Sequence, residues 1–263
     1  MNNMKQTQDD RTIQPFNCST IQRVKAYAFT LAETLIVIGI IGVVAALTLP
    51  NLNHATGDKE KVTKVKKIYS ALTEAVDRAQ AVYGDCDTWF TDLEDYHDYT
   101  ERAAKRITEF MKVSKDCGFG EGCWSTDFFK FSDGQSSYEK SYVSECENYC
   151  YMVNLADGTS LAFLWTEYIR IKVDIDGPNK GKTQMGNDLF EFKIGLGSDA
   201  TSHAVKKNQL TPDGFWSNTP NDYVGFTHWV IEQGNLDYLK ADSTGKCNDS
   251  NIVLDGVNNT SCH

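Results

Sequence analysis

The most constraining feature of this chain is an apolar segment near its start, residues 29–49, directly before Pro50. The segment contains no Lys, Arg or Asp, and Glu33 is its one acidic residue. In a helix that rises about 1.5 Å per residue, it extends over roughly 31 Å, which matches the hydrocarbon core of a bilayer. The composition therefore predicts a membrane-spanning helix. A cytoplasmic start is indicated by the basic residues before it, Lys5, Arg11, Arg23 and Lys25.

Glu33 is unusual in such a segment, because a carboxylate at the centre of a bilayer costs roughly 2.5 kcal/mol or more. A simple anchor gains nothing from that cost, so we expect a positively charged group to meet Glu33. The alternative is that Glu33 lies near the helix end and extends its carboxylate to the lipid headgroups. The first interpretation predicts a chain that assembles with copies of itself.

The run from Ala28 to Glu33, AFTLAE, followed by TLIVIGIIGVVAALTLP, resembles the cleavage and methylation segment of type IV pilins and type II secretion pseudopilins. The resemblance implies that a prepilin peptidase removes a leader, residues 1–28, by cutting between Ala28 and Phe29. The new amine of Phe29 is then methylated, and Glu33 becomes the fifth residue of the mature chain. The amine of one subunit can pair with Glu33 of a neighbour, which favours one axial register over others.

The resemblance implies a structural subunit, a pilin or pseudopilin of the major or the minor kind, in a type IV pilus or type II secretion-like filament. Its expected location is the bacterial inner membrane, with a single pass and the globular domain outside the cytoplasm, before incorporation into a periplasmic or extracellular filament. Its expected partners are copies of itself or related pilins, the prepilin peptidase, the inner-membrane assembly platform, and membrane lipid before assembly.

Two other function classes remain open at this point. One is a membrane-anchored exported binding protein or enzyme with a pilin-like N-terminus, and the other is an adhesin-like minor pilin. The five histidines are scattered and no catalytic motif is recognisable, so we do not expect an enzyme. The formal net charge of −10 also argues against nucleic acid as a partner.

Residues 50–84 are predicted to continue the helix in an amphipathic form, because apolar residues recur there at alternating steps of three and four. Gly84 is a plausible helix stop. The predicted apolar stripe consists of Val62, Val65, Tyr69, Leu72, Val76, Ala79 and Tyr83.

Residues 85–263 are predicted to form one globular domain with mixed secondary structure. Strands are expected over residues 149–155, 160–165, 168–175 and 189–194, with a hairpin turn at Asp157-Gly158. Helices are expected over residues 101–112 and from Trp229 to a stop at Gly234, followed by a packed aromatic tail to Leu239. The predicted fold class is α+β: a long N-terminal helix packed on an antiparallel sheet, with disulfide-containing loops.

The cysteines indicate an oxidising compartment. Cys18 would leave with the leader, and an odd number remains, so one thiol is free or pairs between chains. The alternative is a zinc site built from Cys117, Cys123, Cys146 and Cys150, although the spacings fit poorly. The disulfide candidates are Cys86, Cys117, Cys123, Cys146, Cys150, Cys247 and Cys262.

One loop offers ligands for a cation. The run VDIDGPNKGKTQMGND, between two predicted strands, contains carboxylate and amide oxygens together with glycines that let the backbone turn, as calcium sites require. The alternative is a solvated turn rich in Asp and Gly. No other cofactor is expected, and the candidate calcium ligands are Asp174, Asp176, Asn187 and Asp188.

Overall fold

The computed structural model describes residues 30–120, 122–124, 149–178, 184–197, 205–213, 226–242 and 244–263, without the side chains of residues 45–56. The chain divides after Pro50 into two units, residues 1–50 and 51–263. The helices are α1 (Leu31–Tyr83), α2 (Tyr96–Thr108) and α3 (Phe226–Gln233), with short 3₁₀ helices at Cys86–Thr88 and Asp237–Lys240. The strands are β1 (Val113–Gly118), β2 (Tyr151–Leu155), β3 (Ser160–Trp165), β4 (Tyr168–Asp174), β5 (Leu189–Gly195) and β6 (Leu210–Pro212).

In the second unit, the later part of α1 buries the predicted apolar stripe. Val65, Leu72 and Ala79 are fully buried, because residues at this spacing lie on one side of a helix. Tyr83, the last residue of the stripe, is exposed instead and ends the helix. Gly84 follows with a φ of +80°, a backbone conformation that glycine adopts without steric cost, so the predicted stop is confirmed.

The six strands form one antiparallel sheet in the order β1-β2-β3-β4-β5-β6, so each strand pairs with the next one along the chain. The hairpin between β2 and β3 turns at Gly158, whose φ is +91°. In the next hairpin Ser160 lies opposite Asp174. The predicted α+β class and antiparallel sheet are confirmed, together with the four predicted strands β2 to β5.

One face of the sheet packs on α1 and forms the main core. Phe163, Ile171 and Phe192 are fully buried in the same cluster as Val65 and Leu72 of the helix. Tyr69 of α1 lies nearly parallel to the ring of Phe192, with the ring centroids 5.5 Å apart. This face shows the periodicity of two expected for a strand that has one side in an apolar core.

The elements that differ from the prediction are short or shifted. Strands β1 and β6 were not predicted. Helix α2 runs from Tyr96 to Thr108 rather than over residues 101–112. The start of α2 is set by Asp95, whose side chain accepts a hydrogen bond from the backbone N–H of His97 at 2.7 Å. Helix α3 ends before Gly234, as predicted, but begins three residues earlier, at Phe226.

Candidate functional site

The first turn of α1 is closed by a reciprocal pair of hydrogen bonds between Thr30 and Glu33. The backbone N–H of Thr30 donates to Oε2 of Glu33 at 2.8 Å, and the N–H of Glu33 donates to Oγ1 of Thr30 at 3.2 Å. The Thr30 hydroxyl also donates to the same carboxylate oxygen, at 2.9 Å. This is a capping box, which satisfies backbone donors that a helix start leaves free. The T-x-x-E spacing of Thr30 and Glu33 in the sequence is the signature of this motif.

The first unit presents apolar side chains to its surroundings on all sides of the helix. Residues 31–44 are all exposed, with Leu31 exposed by 80% and Ile38 by 65%. At Gly39 and Gly42 no heavy atom lies within 4 Å of the position that a Cβ would take. A helix that is apolar all round is typical of a segment that is covered by lipid or by other helices.

Among the residues that the structure describes, no helix is both long and apolar enough to cross a membrane. The predicted span of residues 29–49 lies only partly within this description, since Phe29 and the side chains of residues 45–49 are outside it. Ala28 and the leader are outside it as well. The membrane span, the cut between Ala28 and Phe29, and the methylation of Phe29 therefore stay predictions.

The four predicted calcium ligands lie around one turn in the second unit. Oδ1 of the buried Asp174 accepts hydrogen bonds from the backbone N–H groups of Asp176, at 3.1 Å, and Gly177, at 2.9 Å. Gly177 has a φ of +80°, and a Cβ there would lie 2.3 Å from the carbonyl oxygen of Gly158. The turn thus requires glycine, and its carboxylate is held by backbone donors.

A lysine from α1 also enters this turn. Nζ of Lys61 donates to Oδ1 of Asn187 at 2.5 Å, and its charge also favours the ionised form of Asp188. Burial nevertheless raises the pKa of Asp188 to about 6, and burial followed by the hydrogen bond with Asp176 raises that of Asp174 to about 7. Within the described ranges, no group of three or more His, Cys, Asp or Glu side chains is placed to hold a metal ion. Calcium binding stays a prediction.

Two of the disulfides are fully described. Cys117 pairs with Cys123, and Cys247 pairs with Cys262, with Cα–Cα distances of 5.9 and 5.6 Å. Cys150 is disulfide-bonded too. The zinc alternative was wrong, because the sulfurs of Cys117 and Cys123 are bonded to each other.

The inclusion of Cys86 among the disulfide candidates was wrong. Among the described cysteines, Cys86 is the free thiol. It is fully buried, and burial together with the charges of Asp85 and Asp87 raises its pKa to about 12. A thiol in this environment is a poor nucleophile. Cys146 lies outside the described residues.

A buried group of charged side chains on the second face of the sheet was not anticipated. Glu191 of β5 accepts two hydrogen bonds from Arg170 of β4, at 2.7 and 3.1 Å, and Lys193 pairs with Asp213 at 2.7 Å. Glu191 and Lys172 are exposed by only 1% and 2%. The alternation in YIRIKVDI and LFEFKI places these residues on one face of the sheet, but it does not indicate whether that face is buried.

The ionisation of this group follows from burial and from its neighbours. Burial alone would raise the pKa of Glu191, but Arg170, Lys193 and Lys172 outweigh it and lower the pKa to about 2. Burial and the charge of Glu191 raise the pKa of Asp213 to about 6, against the opposing effect of Lys193. These shifts describe a structural ion network, in which the cations hold Glu191 ionised.

Comparison of the chain with models of known protein families, with curated proteins and with solved structures gives no match. The resemblance to pilins and pseudopilins therefore rests on the residues around Phe29 and Glu33 alone.

Proposed function

We propose that this chain is a structural subunit, a pilin or pseudopilin, of a type IV pilus or type II secretion-like filament, assembled through its N-terminal helix after leader cleavage. The observation that carries the proposal is the exposed apolar start of α1, where Glu33 is the one charged side chain in residues 31–44. In water such a surface is unfavourable by about 25 cal/mol for each Å² of apolar area.

Two environments can remove this apolar surface from water, one before assembly and one after it. Membrane lipid covers the helix before assembly, and the same helices of neighbouring copies cover it in the filament. Gly39 and Gly42 favour the second arrangement, because residues without side chains let helix backbones approach closely. The second unit has an apolar core of its own between α1 and the sheet.

Glu33 serves two purposes in this proposal. Its carboxylate caps the first turn of α1 through Thr30, and its charge meets the amine of Phe29 on a neighbouring copy. A single substitution to alanine removes both, so it does not separate the cap from the charge. Glutamine does separate them, because it retains the capping geometry and lacks the charge.

The decisive experiment compares Glu33→Gln, Glu33→Ala and Thr30→Ala in cells that assemble the filament. We expect Glu33→Gln to insert normally and to reduce the filament yield roughly tenfold or more, which corresponds to about 1.4 kcal/mol. Thr30→Ala, which retains the charge, should assemble much better than Glu33→Gln. Membrane extraction and quantification of sheared filaments measure the two steps. Wild-type yield from Glu33→Gln would show that the charge has no role in assembly.

Mass spectrometry of the mature N-terminus separates this proposal from the alternative of a membrane-anchored exported protein. The expected terminus is N-methylated Phe29. A terminus after Ala46 would indicate ordinary secretion and would overturn the proposal. Copy number in purified filaments would then distinguish a major subunit from a minor one.

A further inference from the structure

Near the end of α1, a half-buried arginine on α2 has aromatic neighbours and forms no ion pair with any residue that the structure describes. The guanidinium carbon of Arg106 lies over the ring of Tyr83, 4.7 Å from its centroid, and over the ring of Trp89, at 5.4 Å. Among the described residues, Arg106 forms no hydrogen bond and no ion pair. The two rings therefore hold its guanidinium, while its N–H donors have no acceptor within the described part of the chain.

The other cations of α2 have partners. Arg102 donates to the carbonyl oxygen of Trp89 at 3.0 Å and pairs with Asp92, and Lys105 pairs with Glu101 at 2.5 Å. Glu109, an acid that lines the same pocket, accepts a hydrogen bond from the Tyr83 hydroxyl at 2.5 Å. Arg106 is thus the exception on its own helix.

Arg106 lines a surface pocket of about 500 Å³ between the end of α1 and α2. Its charged lining residues are three cations and three acids, so the pocket carries no net formal charge. With no net charge, the lining neither attracts nor repels an anion strongly, so recognition depends on the hydrogen-bond donors of Arg106. The charged lining residues are Asp98, Glu101, Arg102, Lys105, Arg106 and Glu109.

We propose that this pocket binds a carboxylate group and that Arg106 is the residue that contacts it. A guanidinium with free donors matches the two oxygens of a carboxylate, and charge-assisted bonds of this kind are among the strongest in proteins. The carboxylate comes either from a free small molecule or from an acidic side chain of a neighbouring copy. Only the second source rests on the proposed filament function.

The first arm of the test uses the full chain in a nonionic detergent, with acetate as the probe and chloride at equal ionic strength as the reference. The side-chain Nε–H signal of Arg106 is followed by NMR and is assigned by its loss in Arg106→Lys. We expect acetate to shift this signal saturably and chloride to leave it unchanged. The exposed Arg78, which pairs with Glu74, provides an internal control whose signal should not move. Equal shifts of Arg106 and Arg78, or equal effects of acetate and chloride, would overturn the proposal.

The second arm distinguishes the two sources in assembled filaments. If a neighbouring copy supplies the carboxylate, Arg106→Lys should reduce filament yield several-fold, while Arg78→Lys should not, and Phe29 should be processed normally in both. If the ligand is a free molecule, both variants should assemble like wild type and only acetate binding should change. Failure of the wild-type chain to form filaments would count against the proposed function. The acetate titration in detergent would still test whether Arg106 binds a carboxylate.

Discussion

The two faces of the sheet are both buried, but by different physical means. On β5, Phe192 points to α1 and is covered by apolar side chains, whereas the adjacent Glu191 points the other way and is bonded to Arg170. Burial of Phe192 gains free energy by removing apolar surface from water. Burial of Glu191 costs free energy unless a cation accompanies it. One strand therefore shows that alternation separates the faces of a sheet without telling which face meets water.

The largest expected effect is on the apolar face. We expect Phe192→Ala to lower the free energy of unfolding by roughly 3–5 kcal/mol, because it leaves a cavity beside Tyr69 as well as removing apolar contact. Denaturant unfolding of the full chain in detergent measures the change. Phe192→Leu, which retains most of the volume, is the control and should cost much less. A loss below about 1 kcal/mol for Phe192→Ala would mean that this face is not the main core.

On the charged face, we expect Glu191→Ala to cost roughly 3 kcal/mol or more, because it leaves Arg170 buried without its carboxylate. The matched control is Glu60→Ala, which removes a pair with Lys64 on the exposed side of α1 and should cost under about 1 kcal/mol. Equal losses for the two variants would show that the second face is solvated, which would remove the contrast between the faces.

Replacing the buried pair together sharpens the comparison. We expect Arg170→Met combined with Glu191→Leu to come within about 1 kcal/mol of wild type or to exceed it, because neither charge is then left alone. The difference in the free energy of unfolding between this double variant and Glu191→Ala, in the same assay, measures the cost of leaving Arg170 buried without a carboxylate. A double variant as unstable as the single one would indicate that the network specifies the packing of this face.

The smallest effect is a dependence on pH that arises from Asp213 on the charged face. The folded pKa of Asp213 is raised to about 6 from an ordinary 3.8, chiefly by burial. The folded protein therefore holds this proton more tightly than the unfolded chain, and stability from this group is lost as pH rises from about 4 to 6. The stability of wild type relative to Asp213→Asn should fall over that window, as read from melting temperatures at matched ionic strength. A relative stability that rises with pH would contradict the assigned shift.

Local sequence signals predicted much of the fold and part of the candidate site. Strands β2 to β5 and the helix stop at Gly84 were predicted because they depend on residues close together in the chain. The pairing of Cys117 with Cys123 was not predicted and came from the structure. Strands β1 and β6 escaped prediction because short edge strands are defined by pairing with β2 and β5 rather than by their own pattern. The role of Thr30 in capping Glu33 was within reach, since the capping box has a recognisable spacing.

What the amino-acid sequence by itself determined is the periodicity of each element and the apolar character of residues 29–49, because both depend on neighbours a few positions away. Only the tertiary structure decided that Glu191 is buried and that Arg106 lies over the rings of Tyr83 and Trp89. These outcomes depend on which distant segments pack together, since burial and pairing are properties of contacts between elements. The physical reason is that a charge is stabilised by whatever lies beside it in space, and sequence spacing describes this only within one helix or strand.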